Sequence, residues 1–219
     1  MAVAFAKRCV PDPPDCRLLG FLGQRPHLVS DKGLRRLVAD HLRFSRLEDA
    51  PIPLHVVATD VLSGQDVLLS SGDAVEAIMA SAAIPAVFPP VNIDGRVLID
   101  GGVVNNTPLS HAVALGADRI WVLPTGYACA LRQSPQGALA MALHGVTLTI
   151  NQRLAVDVAR FEEAVDLRVV PPLCPIGSSP VDFSHSASLI ERSHRVTQKW
   201  LRARHRVTGQ AALLEPHRH

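Results

Sequence analysis

Asp100 is the residue of this chain best placed to do chemistry. It follows a short apolar run, Val97-Leu98-Ile99, and Gly101 and Gly102 come straight after it. The pattern predicts a carboxylate at the mouth of a buried strand, with the backbone turning away at once. An ionised carboxylate is costly to bury without a partner. Such a residue is therefore either a proton acceptor facing a cleft or a costly structural feature. Ligands of open parallel sheets bind at the carboxyl ends of the strands, and there Asp100 could take a proton from a nucleophile. The two glycines let the chain turn without Cβ clashes and let another group approach closely. Asp before Gly also serves ordinary turns, so the tripeptide alone leaves both readings open.

The elements that must hold this residue are legible in outline. Leu34, Leu37, Val38 and Leu42 recur at helical spacing and predict a helix from Asp31 to about Leu42, with Ser30 as its N-cap. Pro53 to Thr59 reads as a strand, residues 63–66 as a turn, and Val67 to Leu69 as a returning strand, which together predict a hairpin. Thr59 and Asp60 are explained by turn chemistry as well as by function. Asp73 and Glu76, three apart, open a helix that runs to about Met79. Pro85, Pro89 and Pro90 then force an extended loop. Val97 to Ile99 forms a strand, Thr107 caps a helix that starts at Pro108 and ends at Gly116, and Ile120 to Leu123 forms the next strand. Strand, short helix and strand in series argue for a parallel sheet with helices on its faces.

A long helix follows, about residues 136–164. Leu139, Leu143, Val146, Ile150, Leu154, Val158 and Phe161 form one buried stripe, and Gly145 is a possible kink point. Leu167 to Val170 is a strand. A last helix covers residues 186–204, with Leu189, Ile190, Val196, Trp200 and Leu201 facing inward. Residues 1–26, with four prolines, read as an irregular lead-in, 27–205 as the α/β domain, and 206–219 as a flexible tail.

The motifs as a set resemble the patatin-like phospholipase family. The resemblance rests on the S-x-A-I-P-x-x-F-P-P-V run from Ser81 to Val91, on Asp100-Gly101-Gly102, and on Val103 to Pro108. It extends upstream through Pro53 to Asp60 and Gly64, and more loosely downstream to Asp182-Phe183-Ser184 and the last helix. It implies a three-layer α/β sandwich with a mostly parallel central sheet and helices on both faces, here incomplete on its N-terminal side. It also implies a serine acyl-ester hydrolase acting on lipids, in which Asp100 is the acid of a Ser–Asp dyad. No histidine is then needed between the two, and His55, His111 and His144 read as structural or surface residues. Ser81, Ile84, Pro85, Phe88 and Pro89 either wall an acyl site or only shape a loop. Asn105 and Asn106 either orient Asp100 or satisfy loop carbonyls, and Asn105 joins the pocket candidates.

The nucleophile's half of that chemistry has no match. A serine of this type sits in a G-x-S-x-G turn, yet no two glycines here are four positions apart. The glycine-rich loop whose N–H groups would hold the oxyanion is absent as well. Separations of two and five are missing too, which removes the dinucleotide and P-loop fingerprints. The simplest expectation is a chain lacking the family's first portion: a base without its nucleophile, nearly inactive by itself. The alternative is a non-catalytic remnant or interaction module of the same fold. A partner chain supplying the missing half is a further expectation, since a cut parallel sheet would leave an open edge.

The bulk composition sets the outer bounds. With 219 residues and 47% apolar residues, the chain can fill one core; at 19% charged residues, long disorder is not expected. A formal charge of +2 without a dense basic run gives no reason to expect nucleic acid, and Arg153, Arg160 and Arg168 read as solvated-face charges. The cysteines at 9, 16, 129 and 174 form no C-x-x-C pair, consistent with reduced thiols. Neither a metal nor an organic cofactor is expected. The start of the chain does not read as a secretory signal, and no apolar run reaches the length of about 18 needed to span a bilayer. A cytoplasmic location with peripheral membrane contact follows as the expectation, although no interfacial amphipathic helix stands out.

Overall fold

The computed structural model describes residues 24–124, 133–173, 183–203 and 214. The lead-in up to residue 23, all four cysteines, Asp182 and nearly all of the tail lie outside the described residues. The chain divides after Asn106 into two units.

The first unit contains α1 (Lys32–His41), β1 (Val56–Asp60), β2 (Asp66–Leu69), α2 (Ala74–Ser81), β3 (Val91–Ile93), β4 (Arg96–Asp100) and the single turn α3 (Gly102–Asn105). Its four strands form one sheet in the order β2-β1-β4-β3. The predicted hairpin is β1–β2, pairing Val56 with Leu69 and Thr59 with Asp66. Asp60 closes its turn: Oδ1 accepts the N–H groups of Leu62 at 2.8 Å and Ser63 at 3.2 Å. A second hairpin joins β3 to β4 through Asp94 and Gly95, both at positive φ (51° and 77°). That is the backbone a two-residue hairpin turn requires, and Asp-Gly supplies it readily.

α2 is capped as expected, with the Asp73 carboxylate accepting the Glu76 N–H at 2.9 Å. The Glu76 side chain does not close a capping box. It pairs instead with Arg35 of α1, which Asp31 also holds. Asp31 stands at the N-cap position of α1 without a side-chain cap bond, and the Ser30 hydroxyl expected to cap the helix accepts the Lys32 N–H at 3.3 Å. Ala58, Met79, Ala80, Val91 and Leu98 form the main core of this unit, with Leu34 and Val38 of α1 packed on it.

The second unit contains α4 (Leu109–Ala114), β5 (Arg119–Val122), α5 (Ala138–Phe161), β6 (Asp166–Val169) and α6 (Ser186–Arg202). β5 and β6 are parallel, running from Arg119 opposite Asp166 to Val122 opposite Val169. Pro108, not Thr107, is the N-cap of α4. Gly116 (φ 86°) ends that helix as predicted, and the N–H of Ala117 returns to the Ala112 carbonyl at 3.1 Å. Leu109, Ile120, Val122, Leu154, Val158, Leu167 and Val169 make the core. α5 runs unbroken through Gly145. Of its expected stripe, Leu154 and Val158 are in the core, whereas Val146 is 44% exposed.

Three expectations need correction. The sheet of the first unit is antiparallel throughout, not mostly parallel. Both of its hairpins are closed by short turns, and a short connection can only join antiparallel neighbours. The series β4, α4, β5 is not a crossover within one sheet, because β4 and β5 belong to different sheets. Only β5–α5–β6 has the predicted form. Second, the scattered arginines are engaged rather than merely solvated. Arg153 holds Asp157, whose side chain is 4% exposed, at 2.7 Å, and Arg168 pairs with Asp166 and lies over the Trp121 ring. Third, α6 does not bury its whole apolar set: Ile190 is 68% and Leu201 50% exposed. Among the described residues, no helix is long and apolar enough to cross a membrane.

Candidate active site

The candidate residues fall in the first unit, around the end of β4. β1 is the central strand beside it, and Val57, Ala58 and Thr59 are all buried. Ala58 is the register partner of Asp100, and the Thr59 hydroxyl donates to the Asp100 carbonyl at 3.0 Å. The N–H of Asp100 donates to the Ala83 carbonyl at 3.0 Å. Its backbone is thus fixed from two directions, by the buried strand and by the root of the loop that follows α2. Replacing Thr59 with Val keeps the shape and removes one hydrogen bond. The expected cost is about 1 kcal/mol, read as a lower urea midpoint with an unchanged slope.

The chain then enters helical geometry, with Gly101 at φ −60°, ψ −24°. This turn brings the N–H of Gly102 back to Oδ1 of Asp100 at 2.7 Å. The side chain is part-buried, and burial pushes its carboxyl above the ordinary carboxylate range while the Gly102 N–H pulls the other way. Among the described residues, no lysine, arginine or histidine forms a salt bridge with it. A half-buried carboxyl with a raised affinity for protons and no cation beside it has the electrostatics of a proton acceptor.

The two glycines differ in what they do. A Cβ on Gly101 would sit 2.2 Å from the Val57 carbonyl oxygen. A Cβ on Gly102 would meet Oδ1 of Asn106 at 2.8 Å and Oδ1 of Asp100 at 3.0 Å. Gly101 therefore lets two strands approach, and Gly102 leaves room for the carboxylate.

The loop candidates differ in exposure. Ser81 is the last residue of α2 and is half-buried. Ile84 and Pro85 are exposed, and Phe88 and Pro89 are half-buried. The loop is folded on itself, with the Val87 and Phe88 N–H groups both donating to the Ile84 carbonyl at 3.0 Å, and Ala86 sits at φ 64°. Leu28 and Val29 hold its far side through the carbonyls of Ala86 and Val87. Asn105 is 1% exposed, and its Nδ2 donates to Asp66 at 2.7 Å. It braces α3 against the first residue of β2, a role that neither sequence reading of Asn105 contained. His55 is exposed, with Nδ1 2.8 Å from the Ser70 hydroxyl. The bracing residues Thr59, Asp66 and Ala83 were the ones sequence reasoning missed. Only Thr59, a polar residue inside a buried strand, left a trace.

Residues 10–113, about half of the chain, match the family model described as patatin-like phospholipase. Over those residues the chain is patatin-like. The match contains the whole Ser81–Pro108 motif with Asp100 inside it, so the resemblance read from the motifs holds there. It ends at 113, short of the looser downstream likeness. An uncharacterized NTE family protein of Mycobacterium bovis is 43% identical over 72 residues, which is 33% of this chain and 20% of that protein. Lysophospholipase NTE1 of Phaeosphaeria nodorum is 27% identical over 108 residues, 49% of this chain and 7% of its own length. Lysophospholipase NTE1 of Pyricularia oryzae is 28% identical over 82 residues, 37% of this chain and 6% of its own. The matched stretches of this chain thus cover no more than a fifth of these relatives' own length.

Proposed function

We propose that Asp100 is the general base of a patatin-type hydrolysis of lipid acyl esters. In that chemistry a serine hydroxyl loses its proton to the carboxylate as it attacks the ester carbonyl, an acyl-enzyme forms, and water releases it. The observation that carries the reading is the Asp100 carboxyl itself. It is half-buried, held by one backbone N–H at a strand end, and bridged to no cation among the described residues. The family name supports a phospholipase at its own level of generality.

The spacing G-x-S-x-G does not occur in these 219 residues. The chain by itself is therefore expected to be nearly inactive on short- and long-chain esters, and a fluorophosphonate probe should not label it. Fusing ahead of it a patatin-family segment that carries a G-x-S-x-G elbow is expected to bring turnover and serine labelling. Labelling of Ser71 or Ser81 in the unfused chain would overturn this reading. A well-folded fusion that stays inert leaves the chain a non-catalytic module of the same fold.

A further inference from the structure

α6 combines two properties that no other described helix shares. Its 17 residues include Arg192, Arg195, Lys199 and Arg202 against the single acid Glu191, a formal +3, whereas the entire chain carries +2. At 100° per residue the four cations fall on one side, while Leu189, Val196 and Trp200 fall on the other, with Ile190 and Leu201 beside them. α1 has a similar alternation, but its Leu34 and Val38 are spent on the core of its unit. No residue of α6 is buried, and none belongs to a core cluster among the described residues. Ile190, Leu201 and Val196 are 68%, 50% and 40% exposed. The protein's only two tryptophans meet at this helix: Trp200 stands edge-on to Trp121, ring centroids 6.2 Å apart, and Trp121 is itself 44% exposed.

We infer that α6 is a docking helix for an anionic lipid surface. A strongly two-sided helix of low net hydrophobicity, with a basic polar face and Trp, Leu and Ile opposite, fits the boundary between headgroups and acyl chains. The occupant is selected by charge: three units of positive charge on one helix call for a negative surface, which a neutral apolar protein groove does not offer. Glu191 is the one acid within the helix, and its pair with Arg195, 3.8 Å apart and two-thirds exposed, is weak and solvated. The inference stands apart from the hydrolase reading, because binding is measured without turnover.

The test mixes the 219-residue chain with vesicles of phosphatidylcholine alone and of phosphatidylcholine with a minor share of phosphatidylglycerol. Co-sedimentation with the anionic vesicles is expected, weakening as salt is raised, with tryptophan emission moving to the blue. Binding to the neutral vesicles should be at least about tenfold weaker. Lys199→Glu with Arg195→Glu, and separately Ile190→Ser with Leu201→Ser, should each remove the binding and leave the circular dichroism unchanged, since these side chains are exposed. Equal partition onto both vesicle types, or none onto either, overturns the proposal without recourse to the variants. Dimerisation abolished by the Ile190→Ser, Leu201→Ser pair, with no vesicle binding, assigns the face to a second copy and overturns it as well.

Discussion

Asp100→Asn is expected to do two opposite things: end turnover and make the protein harder to melt. In the fusion that carries a G-x-S-x-G serine, the variant should lose about 10²–10⁴-fold in kcat, the range that a positioned general base contributes. KM should change little, because an amide oxygen can still accept the Gly102 N–H and the surrounding backbone does not move. Turnover that survives the substitution would remove Asp100 from the mechanism.

The stability half follows from the direction of the proton affinity. Burial raises the Asp100 carboxyl above its value in the unfolded chain. Between the two values the folded state binds more protons than the unfolded state, so stability falls as pH rises through that window. Below the unfolded value of about 3.9 both states are protonated and the penalty is absent. Above the folded value it is complete. Asn is neutral throughout and pays nothing. The variant should therefore melt above the wild type at neutral pH, with the gap closing as pH is lowered past the ordinary carboxylate range. A gap independent of pH would mean that the carboxyl is not held in a protonating environment.

Much of this arrangement was readable because it is local. A cap needs Asp and an N–H three residues on, a hairpin needs two strands and a turn, and Asp73 and the β1–β2 pair satisfied those rules within a few residues. The Asp94–Gly95 turn is equally local, but Pro89 and Pro90 just before β3 mask its strand signal. What stayed hidden is non-local. Nothing in Val97-Leu98-Ile99 states that its neighbour is β1 and antiparallel, so the order of strands around Asp100 could not be deduced. The same holds for Asn105, whose partner Asp66 is 39 residues away. The site's key contact, Gly102 N–H to Asp100, is local, yet it depends on Gly101 being helical rather than extended, and glycine leaves that choice to the rest of the fold. For α6, periodicity gave the apolar set correctly and burial wrongly, because a pattern specifies a face but not what covers it.

Gly101→Ala is expected to be the most damaging single substitution in the first unit. The sequence offered two reasons for a glycine there, backbone freedom and close approach, and the geometry selects the second. At φ −60° and ψ −24° any residue would be comfortable. The obstacle is space: the new Cβ would lie 2.2 Å from the carbonyl oxygen and 2.7 Å from the carbonyl carbon of Val57. Both are backbone atoms of the central strand, so no rotamer change relieves the clash. Either β1 withdraws from β4, which strains the pairing of Ala58 with Asp100 and the Thr59 hydrogen bond, or the turn into α3 opens and the Gly102 N–H leaves the carboxylate. Overpacking a well-filled site costs about 1–3 kcal/mol, and a backbone obstacle puts this case at the upper end or beyond. At about 2–4 °C per kcal/mol for a chain of this size, Tm should fall by about 6–12 °C. Gly102→Ala meets the ends of two side chains instead. It should cost much less in Tm while displacing the carboxylate, so its loss should appear in kcat of the fusion. Amide exchange at Val57 to Thr59 separates the two: faster in Gly101→Ala, unchanged in Gly102→Ala. If Gly101→Ala melts with the wild type, β1 and β4 are not packed as closely as the Cβ distance requires, and the fixed position of Asp100 goes with it.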